Sequence, residues 1–431
     1  MAFDRKKFDD IIVAFTVDAE QLREVAADFR HDMRLGLAGS SDASLRMLPS
    51  YLGLPTGEEC GDYLALDFGG TNVRVLLYRL EGGGHYEVLS HVAKPLHVRG
   101  EYDYVGAGAT GEQLFDFLAG LVEEAVGGDQ KTPYLLGHTF SFPSDQTNIN
   151  DARLIIWTKE FAVQGVEGAV VNDLLREALV RRGLSNVTPN AVINDTVAVL
   201  LSAAYQTGDT EIGAIYATGH NTCYLEPYAG SAEEPMILNM ESGGFQKLTP
   251  NRFDIALDAV SEKPGEQRLE KMVGGRYMGP LFDLVLAELL GEEGRLYGFS
   301  SIDISRILED PTENAHSAAI VVEAVTGRTI PAEDAVHVRA LARAVVGRSV
   351  RLMTATFVGT MWQIAGAGKM RRQHIAVDGS VYEKMPLVKE NIMCAFSELL
   401  GEDAALVDTI FAGGGSGLGA AIAAAMTAHA S

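Results

Sequence analysis

Apolar residues recur at steps of three and four through residues 6–36, where Ile11, Ile12, Phe15, Leu22, Val25, Ala26 and Phe29 predict helix. That pattern stops after Ser41, where Pro49, Leu52-Gly53 and Pro55-Thr56-Gly57 act as breakers. Strand-like runs follow. YLALDF (63–68) ends at Gly69-Gly70-Thr71-Asn72, and VRVLLYRL (73–80) begins at once, which predicts a β-hairpin. IGAIYA (212–217), the turn Thr218-Gly219-His220-Asn221 and TCYLEPY (222–228) repeat the plan, so the core reads as duplicated. Between the hairpins, helices are expected at 111–126, 169–182 and 195–206, with strands at 134–140 and 190–194. Residues 280–370 read as mainly helical, dominated by PLFDLVLAELL and the run 332–365. A strand and turn at 374–382, a helix at 386–400 and a strand at 406–411 precede a glycine tract and a terminal helix. Strand–helix alternation with a hairpin opening each half predicts an α/β fold in two lobes.

Length and charge narrow the possibilities. At roughly 100–200 residues per domain, 431 residues predict two or three domains. Fifty-eight acidic against 35 basic residues give a net charge of -23, which argues against a binder of nucleic-acid backbones. An anionic ligand must be held by local geometry against that field. Cys60, Cys223 and Cys394 share no short spacing, so neither a disulfide framework nor a zinc cluster is expected, and a reducing, cytoplasmic setting fits. No run approaches the ~18 apolar residues of a membrane helix. MAFDRKKFDD lacks the apolar core of a signal peptide, and the tail GLGAAIAAAMTAHA is short and built of small residues.

Glycines mark the candidate chemistry. In LDFGGTNVR (66–74), Gly69 and Gly70 let main-chain amides approach an anion, Thr71 adds a hydroxyl and Arg74 adds charge. Asp67 at the strand end can orient a hydrated Mg²⁺. A tight hairpin turn explains the glycines equally well, and a strand rather than a helix follows them, so this is no Rossmann or P-loop fingerprint. ATGHN (217–221) offers a second, weaker turn of the same kind. GGGSGLG (413–419) reads either as a hinge or as a close approach to a flat ligand such as adenine, ahead of a helix N-terminus. SFP (141–143), WTKEF (157–161), IND (193–195), NMESGGF (239–245) and LEKMVGGRYMG (269–279) set polar groups beside apolar anchors. A neutral polyol requires such a set of converging donors and acceptors. Asp195 opens a helix after an apolar strand, where it can be an N-cap, as can Asn194, or a general base for a hydroxyl. Lys159, directly after Trp157-Thr158, reads as an aimed side chain rather than a solvated one.

In content and order these segments resemble the hexokinase/glucokinase family of sugar kinases. The likeness begins at MLPSYLGLPTGEECGDYLALDFGGTNVRV, the family's first phosphate motif, and continues through TFSFPSDQ and IIWTKEF, its sugar signature. It runs on through INDTVAVLLSAAY, IGAIYATGHNTCYLE, ILNMESGGF, PGEQRLEKMVGGRYMGPL and VDGSVY to GGGSGLGAA. The resemblance implies a duplicated, two-lobed actin-like ATPase (ribonuclease H-like) fold with a deep interdomain cleft. A small domain would hold 62–193 and 413–431, and a large domain 1–61 and 194–412. It also implies transfer of the γ-phosphoryl of ATP to the 6-hydroxyl of a hexose, foremost glucose, as the first step of glycolysis, with lobe closure excluding water.

Residue by residue, Asp195 matches the base that takes the hydroxyl proton, while Ser141, Thr158, Lys159, Asn194, Asn221, Glu241 and Glu270 match sugar-binding positions. Lys159 also brings charge toward the transferred group. Gly69, Thr71, Asn72 and Arg74, with Asp67 and Gly70 beside them, correspond to the first phosphate loop, and Thr218 and Gly219 to the second. Gly415 and Ser416 match the nucleotide-side glycine loop, and Thr354 a hydroxyl position near the nucleotide. Mg²⁺ is expected to be bound through phosphates and water, with no metal ligands from the protein. A hexose and Mg·ATP are the expected partners, with neither nucleic acid nor membrane, for a monomer or homodimer. Three positions depart from the family: Ser242 where Trp is usual, Ala217 where Gly is usual, and Pro280 where Glu is common. A sugar-binding regulator without turnover, or an acetate or glycerol kinase on the same duplicated core, is a rival reading, disfavoured by Asp195, Lys159 and Arg74 and by the WTKEF, IND and LEKMVGGRYMG segments.

Overall fold

The computed structural model describes residues 3–68, 70, 72–158, 161–227 and 234–428. Its N-terminal helical stretch is two helices, α1 (Arg5–Phe15) and α2 (Ala19–Leu37). Capping makes the break. Asp18 accepts hydrogen bonds from the N–H groups of Glu20 and Gln21, and the Gln21 side chain accepts one from the Asp18 N–H. This capping box starts a new helix where apolar spacing alone reads straight through.

The strands come next: β1 (Leu48–Pro49), β2 (Cys60–Phe68), β3 (Asn72–Gly82) and β4 (His85–Pro95). After them run α3 (Gly111–Ala125), β5 (Tyr134–Phe140), α4 (Val171–Arg181), β6 (Val187–Ile193) and α5 (Asp195–Thr207). The order β6-β5-β2-β3-β4 forms a five-stranded sheet, antiparallel at β2/β3 and β3/β4 and parallel at β2/β5 and β5/β6. Alternation along β2 serves two cores. Leu64, Leu66 and Phe68 pack with Leu114, Phe115 and Leu118 of α3 and Leu175 of α4, while Ala65 joins Ala198 and Leu201 of α5 on the other side.

The second hairpin is β7 (Thr210–Tyr216) and β8 (His220–Glu226), followed by β9 (Met236–Asn239). Helices then dominate: α6 (Arg252–Ala259), α7 (Arg268–Val273), α8 (Gly275–Leu290), α9 (Ser301–Leu308), α10 (His316–Thr326) and the 34-residue α11 (Ala332–Ala365). The chain closes with β10 (Gln373–Asp378), α12 (Ser380–Lys384), α13 (Val388–Leu400), β11 (Val407–Phe411) and α14 (Gly415–Met426). A six-stranded sheet has the order β1-β9-β8-β7-β10-β11. No helix among the described residues is long and apolar enough to cross a membrane.

Two compact units emerge. The first holds Met1–Met47, Ala214–Thr222 and Met240–Phe411; the second holds Leu48–Gly213, Cys223–Asn239 and Ala412–Ser431. Compared with the expected division, 48–61, 194–213 and 223–239 group with the 62–193 unit. Packing explains this. Ile193, Val197, Ala198 and Leu201 share one core with Ala65, Leu76, Ile237 and Ala420–Ala423, so α5 cannot be separated from that sheet. The small residues of α14 are what allow the contact. A side chain at Gly419 would strike the Ala198 carbonyl, and one at Gly137 on β5 would strike the Ala420 carbonyl. In the first unit, α11 is pinned by a buried bidentate pair: Arg348 donates to both Asp254 oxygens at 2.7 and 2.6 Å and lies over the Phe15 ring.

Candidate functional site

The first glycine turn joins β2 to β3, and strand register sets its chemistry. Asp67 pairs across to Arg74 on β3 and to Thr139 on β5. The Asp67 carboxylate accepts from Arg74 Nη1 at 3.4 Å and from Ser416 Oγ at 2.8 Å, and Thr139 Oγ1 donates to the Ser416 carbonyl at 2.9 Å. The first turn and the start of α14 are thus brought together inside the second unit, as one half-exposed cluster with a cation, a carboxylate and a hydroxyl. Among the described residues, Gly70 has no neighbour within 4 Å of where a side chain would be, and Asn72 is exposed. Gly69 and Thr71 lie outside the described residues.

Asp195 and Asn194 divide the two roles the sequence left open. Asn194 is the N-cap of α5, its Oδ1 accepting from the Thr196 N–H at 2.9 Å and the Thr196 hydroxyl at 2.7 Å. Asp195, the first helical residue, is half-buried and accepts from the same N–H at 2.9 Å with Oδ1. Beneath it, Cys223 Sγ donates to the Thr196 carbonyl at 3.1 Å, and burial pushes its thiol up to about 12. Ser141 and Thr158 are half-buried on loops anchored by an aromatic cluster of Phe68, Phe140, Phe142, Trp157 and Phe161. Trp157 is itself fixed, its ring N–H donating to the Val163 carbonyl at 2.9 Å and its main-chain N–H to Glu167 at 3.0 Å. Lys159 lies outside the described residues.

In the first unit, three further residues come together. Asn221 Oδ1 accepts from the N–H groups of Thr222 (2.7 Å) and Ser242 (3.1 Å), which turns its amide NH₂ toward Glu241 Oε1 at 3.5 Å. Glu241 is held in the left-handed region (φ 52°), a conformation that costs a non-glycine residue energy and tends to mark functional positions. Glu270 Oε2 accepts from the His220 N–H at 3.2 Å. The turn at Thr218 and Gly219 adjoins them: the carbonyls of Ala217 and Thr218 accept from the N–H groups of Gly275 (2.9 Å) and Arg276 (3.0 Å). Gly219 has an ordinary φ but no room for a side chain, which would strike the Glu270 carboxylate. The cluster offers two carboxylates as acceptors and one amide as a donor, the combination suited to hydroxyl groups. Among the described residues, no group of three or more His, Cys, Asp and Glu side chains could hold a metal ion.

Two further candidate residues are buried. Thr354 is fully buried within α11, where its hydroxyl donates to the Val350 carbonyl at 2.8 Å. Gly415 is buried too. Its N–H donates to the Ala412 carbonyl, and its Cα faces Val199 and Ser202 of α5. Gly413 and Gly414 are the exposed members of that tract. Thr139 was not singled out by the sequence, whereas Ser242 stood out there as a departure. Ser242 is buried, its hydroxyl donating to Thr222 Oγ1 at 3.2 Å. No local pattern flags Thr139, because its partner Ser416 is distant in sequence.

Comparison with known proteins supplies the context. Two family models, both described as hexokinase, match residues 7–205 and 211–426. Hexokinase-1 of Oryza sativa subsp. japonica is 37% identical over 99% of this chain and 91% of its own length. Hexokinase-1 of Schizosaccharomyces pombe is 33% identical over 97% of this chain and 90% of its own. Among solved structures, the hexokinase of Schistosoma mansoni complexed with glucose superposes with a TM-score of 0.82 at 28% identity, covering 98% of this chain and 99% of that one.

Proposed function

The chain belongs to the hexokinase family, ATP-dependent hexose kinases of glycolysis with the two-domain actin-like sugar-kinase fold, and on that premise we propose that it transfers the γ-phosphoryl of Mg·ATP to the 6-hydroxyl of glucose. The observation that carries this reading is the cluster of Asn221, Glu241 and Glu270, which is built to hydrogen-bond a neutral polyol. The glucose complex of the Schistosoma mansoni relative supports the choice of hexose.

Asp195 is the base. With Asn194 occupied in capping, Asp195 is not needed to start α5, and its carboxylate accepts the hydroxyl proton as that oxygen attacks phosphorus. Ser141, Thr158, Asn194, Asn221, Glu241 and Glu270 hold the sugar; Arg74, Lys159, Ser416 and the turns at Gly70–Asn72 and Thr218–Gly219 face the phosphates. With a loose transition state there is little covalent chemistry for the chain to perform. Orientation and charge neutralisation supply the acceleration, from Arg74, Lys159, main-chain amides and the Mg²⁺ that arrives with ATP. A protein of net charge -23 has to concentrate positive charge locally for this purpose. Its cysteines at 60, 223 and 394 are all free, which suits a cytoplasmic setting.

A coupled assay of ADP release at fixed Mg·ATP, run over glucose, mannose, fructose, glycerol and acetate, tests the reading. Glucose is expected to stimulate release strongly. Stimulation by glycerol or acetate with none from any hexose would overturn it.

A further inference from the structure

Beneath the Ala217–Gly219 turn runs a buried chain of hydroxyls that the proposed chemistry leaves unused. Tyr216, the last residue of β7, is fully buried, and its Oη lies 2.7 Å from Ser349 Oγ on α11. Ser349 Oγ donates to the Val273 carbonyl at the end of α7, also at 2.7 Å. A carbonyl can only accept, so the serine proton is committed to Val273 and the tyrosine proton points to the serine oxygen. Burial raises the tyrosine pKa, which keeps that proton in place.

Both ends of this chain reach groups with proposed ligand roles. Tyr216 leads directly into Ala217, Thr218 and Gly219. Val273 closes the short helix that carries Glu270. Above, the turn is bonded to α7 and the start of α8: Gly275 N–H donates to the Ala217 carbonyl and Arg276 N–H to the Thr218 carbonyl, while His220 N–H donates to the Glu270 carboxylate. Gly274 and Gly275 allow that approach, since a side chain at either would come within 2.9 Å of Thr218 O or 2.7 Å of Ala217 O. Turn and helix are therefore clamped from two sides, the lower clamp running through the Tyr216 and Ser349 hydroxyls. All of these residues belong to the first unit.

We propose that Tyr216 and Ser349 are positioning residues that couple the hexose contacts of Glu270 to the phosphate turn at Thr218 and Gly219, so that each ligand tightens the other. The inference rests on the roles proposed above for Glu270, Thr218 and Gly219. A sugar that fixes Glu270 fixes α7, and through Val273, Ser349 and Tyr216 it restricts the turn that receives phosphate. By linkage, the nucleotide must then improve sugar binding by the same factor.

Calorimetric titration of the full chain tests this, using glucose, the β,γ-imido analogue of ATP with Mg²⁺, and each ligand in the presence of the other at saturation. In the unaltered chain each should tighten the other by about fivefold or more. Tyr216→Phe keeps the ring and removes the donor. It should reduce that mutual factor about threefold or more, the scale of one buried hydrogen bond, with glucose affinity alone changed less than about twofold. Ser349→Ala should do the same, Ser349→Thr should restore the factor, and the Tyr216→Phe/Ser349→Ala double variant should match the singles. An unchanged mutual factor in Tyr216→Phe overturns the proposal. Equal losses in both lone affinities with the factor intact also overturn it, since that is a structural effect only. Tyr216→Phe decides the matter alone if Ser349→Ala fails to fold. Binding of both ligands to the unaltered chain with no mutual tightening refutes the coupling but leaves the roles of Glu270 and Thr218 standing. Absence of binding refutes those roles, and the inference with them.

Discussion

The two glycine turns are built by opposite means. At the β2–β3 turn, side chains carry the chemistry: Asp67, Arg74 and Ser416 form a cluster in which Arg74 is half-exposed and its ion pair is 3.4 Å long. Among the described residues, none lies within 4 Å of where a Gly70 side chain would be. At the β7–β8 turn the backbone is committed instead. Carbonyls 217 and 218 are bonded into the start of α8, Gly219 presses on Glu270, and Gly274 and Gly275 are packed against the turn. Exposed ion pairs contribute little to stability, ~0–1 kcal/mol, whereas a close-packed backbone junction cannot be altered without moving its neighbours. The first turn should therefore separate activity from stability, and the second should not separate phosphate from sugar.

The largest effect belongs to Asp195, in the same unit as the first turn. Asp195→Ala should lower kcat by two or more orders of magnitude, about 3 kcal/mol of transition-state stabilisation, with glucose binding largely retained by calorimetry. The Asn194 cap survives the change, so the unfolding midpoint should shift by no more than the ~1 kcal/mol of one exchanged hydrogen bond. Near-normal turnover would remove Asp195 as the base. A large loss of stability alongside the loss of rate would show that activity and fold are not separable in this unit.

A matched pair of substitutions addresses the turns directly. Arg74→Gln should reduce kcat/KM for ATP by about 10- to 100-fold, the worth of a charge-assisted contact, while leaving the hexose KM and the denaturation midpoint nearly unchanged. Gly219→Ala has no backbone conformation to strain. Its methyl group must displace the Glu270 carboxylate, so it should raise the hexose KM about tenfold, together with a weaker KM for ATP. Steady-state kinetics with each substrate varied in turn would check both. A hexose KM unaffected by Gly219→Ala would mean that Glu270 finds another position at no cost, and the contrast between the turns would fail.

Legibility in the sequence follows the same divide. Asp67 and Arg74 are close in sequence and fall opposite each other in a hairpin announced by period-two patterning, so the charged half of the first turn was readable from spacing. Their third partner, Ser416, lies on the last helix and was reached only through the family resemblance. Thr354 too was reached only through the resemblance. A match at one position of a 34-residue helix does not say which face carries it, and Thr354 lies on a buried one. The glycines of 413–419 were read as a hinge or a ligand cradle. Glycine serves both flexibility and close packing, and at 417 and 419 it is packing: side chains there would meet Tyr78 and the Ala198 carbonyl. The compact units differ from the expected division at α5 for a related reason. Helix and strand were each located, but the partner that buries α5 is more than 200 residues away.

The smallest predicted effect compares the two units through one buried histidine in each. His138, on β5 of the second unit, is fully buried, and burial pulls its pKa down to about 3; His220, on β8 beside Glu270 in the first unit, is pulled down to about 4 by the same cause. Both stay neutral in the folded chain while the unfolded chain takes up protons below pH ~6.5. Stability from each is therefore complete above that pH and is lost as pH falls toward the folded values. Between pH 7 and 5.5, before most carboxylates titrate, the loss should be about 1 kcal/mol per histidine. Urea unfolding of the unaltered chain, His138→Gln and His220→Gln at both pH values would measure it. Each substitution should flatten the pH dependence by about 1 kcal/mol, whatever it does to stability at pH 7. Should the units unfold in separate transitions, His138→Gln must flatten only the transition of the unit containing β5, and His220→Gln only the other. An unchanged slope in His220→Gln would mean that the ring takes up its proton before the chain unfolds, and that the backbone-clamped turn opens as readily as the charged one.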